Sequence, residues 1–299
     1  HLPINRIDFA PADIRDRDAV LSALRGANVV HHLAANPQLW TRRRGDFHRV
    51  NYLGTVQVLT EALAAGAKRV LHTSTESILT RSTQSTPIAE DQVVPPRDVI
   101  GPYCRSKYRA ERFAFLLARA GAPVIIVNPT LPIGPGDWGR SPPTQMMLDF
   151  CLAKRSAYLD GDLNLMDVRD VAAGMAAAMD RARPGVRYLL GAENWSIRSV
   201  FDYLAKITGL PEPRWRVPYP VALAAAFVSE FVSDVFSGTI PAATVTGVKL
   251  TRRRMHFDAS RSLSELGITP RPARESIAEA VTWFREVGWL ESGLAGASC

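Results

Sequence analysis

Short apolar runs alternate with helical patterns over the first two thirds of the chain. Runs typical of buried strands lie at 28–33, 69–73, 123–128 and 186–190. Apolar residues recur every three to four positions over 47–65, 103–120, 144–154 and 168–182, which predicts amphipathic helices. Short strands separated by helices indicate right-handed βαβ units. The first part of the chain is therefore predicted to be an α/β unit with a parallel sheet.

The pattern changes beyond Pro129, where glycine- and proline-rich loops begin. Further helices are predicted at 196–208 and 221–236, with a proline-rich segment at 211–220 between them. We therefore expect two domains. Residues 1–133 with 157–194 would form a nucleotide-binding α/β domain, and residues 134–156 with 195–299 a smaller, mostly helical domain that closes over a cleft.

The second half contains an apolar segment, 220–236, interrupted by Glu230 and Asp234. We expect it to be too short and too charged to span a bilayer, and no signal peptide is recognisable, which favours a soluble, cytoplasmic protein. Phe227, Phe231 and Val235 recur at four-residue spacing, which predicts an amphipathic helix. Three interpretations stay open: a helix packed on its own core, an apolar lid for a lipid-like substrate, or peripheral membrane contact through 221–236.

Composition narrows the possible partners. The chain is 46% hydrophobic and 22% charged with a net charge of +7, and its cations are 31 arginines and five lysines. The arginine runs 42–44 and 252–254 lack interleaved aromatic residues, so nucleic-acid binding is not expected. The three cysteines, Cys104, Cys151 and Cys299, have no metal-ligand spacing. We expect neither a disulfide framework nor a metal site.

Tyr103 and Lys107 are the most specific candidates for chemistry. Residues four apart share one helix face, and an ammonium beside a phenol lowers the pKa of the phenol from about 10. Such a tyrosine can exchange a hydroxyl proton while hydride moves between a carbon atom and a nicotinamide. An incidental surface pair is the alternative. Upstream, Thr73, Ser74 and Thr75 end a strand at the sheet edge where α/β proteins place ligands.

Several motifs in sequence order resemble the extended short-chain dehydrogenase/reductase superfamily. They are Ala34-Ala35, Asn51-x-x-Gly54-Thr55, Thr73-Ser74-Thr75, Tyr103-x-x-Ser106-Lys107, Asn128-Pro129-Thr130, Asp170-Val171-Ala172 and Leu266-Gly267-Ile268-Thr269-Pro270. The resemblance covers nearly the whole chain and is strongest to hopanoid-associated sugar epimerase-like and 3β-hydroxysteroid dehydrogenase-like proteins. It extends to the dihydroflavonol reductase branch. It implies a Rossmann-type doubly wound sheet and a bacterial enzyme of sterol or hopanoid metabolism.

The resemblance also implies a role for each matching residue. Tyr103 would be the general acid/base, Lys107 would lower its pKa and hold the nicotinamide ribose, and Thr75 would hydrogen-bond the substrate oxygen. NAD or NADP would be the cofactor. Its expected contacts are Asp13 and Ile14, after a strand at Ile7-Asp8-Phe9, and then Ala34, Ala35, Asn51, Thr73, Tyr103, Lys107 and Pro129.

One family feature is absent from the sequence, the glycine-rich dinucleotide fingerprint, since the first fifty residues contain only Gly26 and Gly45. We expect a preceding N-terminal segment of roughly fifty residues to carry it.

Three functions follow. The first is an NAD(P)-dependent oxidoreductase for a bulky sterol- or isoprenoid-type alcohol or ketone, and the second a nucleotide-sugar epimerase or dehydratase with Arg214, Arg216 and Arg252–Arg254 as diphosphate ligands. The third is a non-catalytic binding or sensor protein. The family implies a homodimer formed through helices such as 103–120.

Overall fold

The structure is a computed structural model that describes residues 7–81, 87–154 and 156–290. Its strands are β1 (Val29–His32), β2 (Arg69–Thr73), β3 (Val124–Pro129), β4 (Leu131–Ile133), β5 (Ala157–Tyr158), β6 (Asp162–Asp167), β7 (Arg187–Leu190), β8 (Glu193–Ser196) and β9 (Trp215–Arg216). Its helices are α1 (Arg17–Ala23), α2 (Thr55–Ala64), α3 (Gly101–Arg119), α4 (Pro142–Cys151), α5 (Val168–Arg181), α6 (Ile197–Thr208), α7 (Tyr219–Val232), α8 (Val245–Thr251), α9 (Ser260–Leu266) and α10 (Ala273–Glu286). Two π-helical segments, Phe47–Gly54 and Ser233–Ser237, run into α2 and out of α7.

The main sheet is parallel, with the order β1-β2-β3-β7. Its register aligns Thr73 of β2 with Val127 of β3, and Asn128 of β3 with Leu189 of β7. Helices cover both faces, and apolar side chains of β2 and β3 alternate between two separate cores. The predicted Rossmann-type α/β fold and its four strands are therefore confirmed, and the carboxyl ends of the strands form one edge.

The strand predicted at Ile7-Asp8-Phe9 is wrong. Residues 7–9 form no regular element, and Phe9 is 88% exposed. The physical reason is the lack of a pairing partner, because β1 is the last strand on this side of the sheet in the described part of the chain. Backbone groups that pair with no neighbouring strand bond to water instead.

A second core lies under α4, α6 and α10. It packs against a small sheet in the order β4-β6-β8, and its centre includes Phe201, Leu204 and Phe284. The predicted domain limits stay a prediction. However, 131–133 and 162–167 lie in this second sheet, although those limits placed them with the main one. The predicted homodimer likewise stays a prediction.

Helix α7 is mostly exposed, which excludes the interpretation of a helix packed on its own core. Together with the π-helical segment it spans 19 residues, Tyr219–Ser237, and an 18-residue window within it has a mean hydropathy of 1.4 and is 17% buried. By length and composition alone, this helix could cross a membrane. The helix begins and ends outside the predicted limits and is therefore longer than expected, whereas the expectation that it does not span a bilayer stays a prediction.

We expect truncation of Leu204 to test the second core. Leu204 is fully buried in α6, so Leu204→Ala should lower the free energy of unfolding by about 2–5 kcal/mol through lost burial and a residual cavity. Urea denaturation followed by circular dichroism measures the change. Val93, 70% exposed in a loop, supplies the control, since Val93→Ala should change it by less than about 0.5 kcal/mol. Equal effects of the two variants would contradict the burial assigned to α6.

Candidate active site

Helix α3 begins where its backbone must turn sharply. Gly101 has φ of 70°, and a Cβ atom there would collide with Thr246 of α8, so glycine allows both the turn and the close contact. Pro102 follows in the first turn, where a missing N–H costs nothing. Tyr103 lies in this first turn and Lys107 one turn later. The start of α3 is thereby set against the C-terminal part of the chain.

Lys107 connects α3 to the end of β2. Its buried ammonium donates a hydrogen bond of 2.6 Å from Nζ to the carbonyl oxygen of Thr73. Burial lowers the pKa of Lys107 to about 8, and the charge of Glu111 partly opposes this. The hydroxyl of Thr73 is itself buried and unpaired with any described residue. Lys107 thus contacts a residue whose own hydroxyl has no described partner, and an ammonium and a hydroxyl are groups that can hydrogen-bond ribose hydroxyls.

Thr75 ends the loop after β2 and caps a 3₁₀ turn at Glu76–Ile78. Its hydroxyl donates to Glu76 Oε2 at 2.8 Å, and its carbonyl oxygen accepts from Asn128 Nδ2 at 3.0 Å. The Tyr103 and Thr75 side chains line the same cavity. The structure therefore brings together Thr75, Tyr103 and Lys107, which the sequence analysis selected as catalytic candidates.

The pKa of Tyr103 is raised above its usual value of 10, opposite to the predicted direction. Removal of the phenol from water is the largest cause, the charges of Cys104 and Glu76 add to it, and the hydrogen bond with Thr75 opposes it. Lys107 is not among the causes that shift the pKa of Tyr103, and its ammonium donates to the Thr73 carbonyl instead. Tyr103 therefore holds its proton at neutral pH.

Glu76 is a site residue that the sequence analysis missed. Its carboxyl is buried beside Thr75, and burial raises its pKa from 4.5 to about 7. The signal in the sequence was a carboxylic acid directly after the strand-terminal hydroxyl of Thr75, in an otherwise apolar and hydroxylic run. A carboxyl group that titrates near neutrality can accept or donate a proton within the site.

Tyr103, Thr75 and Glu76 open into a cavity of about 310 Å³. The wall is built largely from apolar side chains of the loop after β1, β4, α4 and α8, with Leu39, Leu131, Met146, Leu250 and Met255 among them. Glu76 and Asp162 are the charged residues among the described ones that line it. No residue of α7 does, so the predicted apolar lid is wrong: α8 occupies that place.

Four predicted cofactor contacts meet on a separate concave surface. Asp13, Ile14, Ala34 and Ala35 line an open cavity of about 660 Å³ beside the end of β1. The alanines leave room for a ligand backbone, and Gly54 lets Ile14 pack on the helix behind, since a Cβ there would lie 2.7 Å from Ile14 Cδ1. The exposed Asp13 carboxylate is held by Arg15 at 2.5 Å, whose hydrogen bonds lower its pKa to about 2. These residues fit one end of a dinucleotide.

The remaining two predicted contacts are buried. Asn51 accepts from the backbone N–H of Asn36 at 2.7 Å and donates to Ser106 Oγ at 3.3 Å, and Ser106 Oγ donates to the Tyr103 carbonyl at 2.6 Å. Asn51 therefore positions the loop after β1 and the turn that carries Tyr103. Pro129 ends β3 beside Leu190 of β7. Direct cofactor contact by either residue stays a prediction.

A family model and several individual proteins match the chain. The model for the NAD dependent epimerase/dehydratase family matches residues 2–191. A putative dihydroflavonol 4-reductase from Synechocystis sp. is 36% identical over 96% of this chain and 84% of its own length. Sterol demethylase protein B from Methylococcus capsulatus is 32% identical over 95% of this chain and 87% of its own. A crystal structure of gox2253 aligns with a TM-score of 0.81 and 34% identity, covering 94% of this chain and 85% of the other.

The titration of Glu76 should appear in the pH dependence of stability. Below about pH 4.5 the carboxyl is protonated in the folded and the unfolded chain alike. Between pH 4.5 and about 7 only the unfolded chain loses the proton, so the free energy of unfolding falls as the pH rises. The fall attributable to Glu76 should reach up to about 3 kcal/mol.

Glu76→Gln removes this titration, so its stability relative to the unchanged chain should rise between pH 4.5 and 7 and stay level above. Urea denaturation at a series of pH values measures the difference. Glu212→Gln, at an exposed glutamate, is the control and should run parallel to the unchanged chain. A Glu76→Gln curve that also runs parallel would show that Glu76 does not titrate in this window.

Proposed function

Because the chain belongs to the NAD dependent epimerase/dehydratase family, we propose that it transfers hydride between NAD or NADP and a bulky, apolar secondary alcohol or ketone. The family identifies it as an NAD-dependent enzyme of the extended short-chain type, which argues against the non-catalytic alternative. The substrate class and the roles of individual residues are the proposal. One observation carries it: the cavity that opens on Tyr103 and Thr75 is walled by apolar side chains.

The apolar side chains that line the cavity indicate which class of substrate it binds. Removing apolar surface from water stabilises a complex by about 25 cal/mol per Å², so a largely apolar cavity favours a polycyclic or isoprenoid skeleton. A diphosphate would instead need cationic ligands, and the described residues that line this cavity include neither arginine nor lysine. The sterol demethylase relative is in keeping with such a skeleton.

The proton chemistry falls to Tyr103 and Thr75. When bound, the nicotinamide supplies or accepts the hydride. In the reducing direction, the protonated Tyr103 hydroxyl donates its proton to the carbonyl oxygen of the substrate. The Thr75 hydroxyl hydrogen-bonds the same oxygen and fixes the orientation of the carbonyl. Lys107 and Thr73 would hold the ribose next to them, and the concave surface at Asp13, Ala34 and Ala35 would hold the far end of the dinucleotide.

Glu76 fits a supporting role in the same step. Its carboxyl accepts the Thr75 hydroxyl hydrogen bond at 2.8 Å. The deprotonated Glu76 carboxylate accepts a hydrogen bond from the Thr75 hydroxyl, whereas the protonated carboxyl can donate one to a neighbour. Because the pKa of Glu76 is near 7, the protonation state would decide where the Thr75 hydroxyl directs its own hydrogen. Glu76 thus acts as a positioning residue through Thr75.

A second candidate function has its own observation. A cavity of about 660 Å³ adjoins the apolar one and shares Asp162 and Thr251 with it. Arg216 and Arg252 line it, Arg216 within 3.1 Å of Asp160 and Arg252 over the ring of Tyr219. Two arginines in a cavity that adjoins the one lined by Tyr103 suit the diphosphate of a nucleotide sugar. Transient oxidation of the sugar would make the protein an epimerase or dehydratase.

Tyr103→Phe should abolish most turnover while leaving the fold intact. Loss of a general acid/base costs about 10²–10⁴ in kcat, and Thr75→Val, which removes a hydroxyl at nearly constant volume, should also lower kcat. Turnover is measured with a panel of sterol-like alcohols and ketones by the absorbance of the reduced nicotinamide. The matched control is Tyr108→Phe, on the same helix, whose hydroxyl bonds only the carbonyl of Val94 among described residues. A loss of less than tenfold for Tyr103→Phe would refute the assigned role.

A ligand screen separates the two candidate functions. The apolar-substrate proposal predicts net formation or consumption of reduced nicotinamide with sterol-like ligands, and unchanged kinetics in Arg216→Gln. The alternative predicts turnover of a nucleotide sugar without net change of the cofactor, and at least a tenfold rise of KM in Arg216→Gln because a diphosphate ligand is lost. Turnover of a nucleotide sugar with this rise of KM would replace the first proposal by the second.

A further inference from the structure

Helix α7 presents large apolar side chains to solvent along one face. We name this the apolar face of α7. It comprises Val221, Phe227, Val228, Phe231 and Val232 together with Val235 of the π-helical segment that continues the helix, each between 44% and 62% exposed. At 3.6 residues per turn these positions fall within an arc of about 140°. Phe236 and Ile240 extend the surface, at 77% and 64% exposed. Monomeric proteins rarely expose so continuous an apolar surface, and such surfaces mark protein or membrane contacts.

The opposite face of the helix is held by the protein. Ala226 and Ser233 are buried there. Glu230 Oε1 accepts a hydrogen bond from the Val245 backbone at 2.8 Å, and Arg44 pairs with both Glu230 and Asp234, at 3.2 and 3.0 Å. The two acidic side chains, Glu230 and Asp234, thus share one arginine on the side that contacts the protein. A helix held along its length in this way lies on the surface rather than crossing a bilayer.

Arginine side chains lie at both ends of the apolar face. At the C-terminal end, the Arg42 guanidinium lies 3.2 Å from where a Cβ of Gly238 would be. At the N-terminal end, Arg252 stacks over the ring of Tyr219 at 4.8 Å. Neither arginine forms an ion pair with a residue that the structure describes, and both are exposed, as is Arg43. An apolar strip flanked by unpaired cations complements an acyl boundary beneath anionic headgroups.

We propose that the apolar face of α7 docks the enzyme onto a bilayer that contains anionic lipids, with the helix lying in the interfacial plane. The helix covers 19 residues, or roughly 28 Å of contact length. The apolar face enters the headgroup–acyl boundary, and Arg42, Arg43 and Arg252 contact headgroup phosphates. The positive net charge of +7 favours attraction of the whole protein to an anionic surface.

Docking also brings the substrate cavity to the membrane. Helix α8 packs against α7 on one side and lines the apolar cavity with Gly247, Leu250 and Thr251 on the other. Leu39, which also lines this cavity, precedes Arg42 by three residues. An apolar alcohol or ketone could therefore pass from the acyl layer to Tyr103 without crossing water. This second step rests on the proposed function, whereas docking itself does not.

Vesicle sedimentation tests docking without any substrate. The full chain should bind vesicles of phosphatidylcholine with phosphatidylglycerol at least tenfold more tightly than vesicles of phosphatidylcholine alone, and less tightly at high salt. The double substitution Phe227→Ser with Phe231→Ser should weaken binding to the mixed vesicles at least tenfold. So should Arg42→Gln with Arg43→Gln, whereas the phenylalanine variant should retain the salt dependence.

A matched control uses exposed apolar residues elsewhere. Val93→Ser with Leu116→Ser, 70% and 64% exposed in the unchanged chain, should bind like the unchanged chain. Absence of binding to the mixed vesicles, or equal loss in the control, overturns the proposal. So does a dimer, measured by analytical ultracentrifugation, that dissociates only in the phenylalanine variant, since a second copy would then cover the face.

Activity distinguishes docking from substrate transfer. With an apolar substrate carried in mixed vesicles, the phenylalanine variant should lose at least tenfold in kcat/KM, and with the same substrate in detergent micelles it should equal the unchanged chain. Equal loss in both media overturns the transfer step and leaves the vesicle result to decide docking. Failure to find any apolar substrate refutes the proposed function alone.

Discussion

The hydrogen bond from Lys107 to the Thr73 carbonyl oxygen is the contact on which the rest of the site depends. It joins α3 to the end of β2 with a buried ammonium, and a buried charge is tolerated only when it is hydrogen-bonded. One turn earlier on the same helix, Tyr103 is thereby set beside Thr75, two residues beyond Thr73. A single contact between distant parts of the chain thus fixes the relative position of three reactive groups.

Buried polar residues support this contact from behind. Asn128 of β3 donates to the Thr75 carbonyl and to Glu111 of α3 at 2.7 Å, and Arg187 of β7 pairs with the same Glu111 at 2.5 Å. The chain of hydrogen bonds crosses from β7 to the loop after β2. Because every link lies inside the protein, displacing one would leave an unpaired buried group, which costs about 1–3 kcal/mol. The reactive hydroxyls are therefore held before any ligand arrives.

Three surfaces of different chemical character surround the site. Small side chains beside β1 form the open concave surface proposed to hold a dinucleotide, while apolar side chains of α4 and α8 enclose the Tyr103 and Thr75 hydroxyls. Burial keeps the proton on Tyr103 and brings the pKa of Glu76 near neutrality. Helix α7 adds an apolar outer surface next to the enclosed cavity. These surfaces are the basis of the proposal that the substrate is apolar.

Local patterns in the sequence determined the elements of this protein and its main reactive groups. Hydrophobic periodicity predicted four strands and the major helices, and the spacing of Tyr103 and Lys107 predicted one shared helix face, because both depend on residues close in sequence. Only the tertiary structure decided the direction of the Tyr103 pKa, the membership of Glu76 in the site, the exposure of α7 and the absence of a strand at residues 7–9. Each of these depends on desolvation or pairing by residues far away in the chain, which no local pattern records.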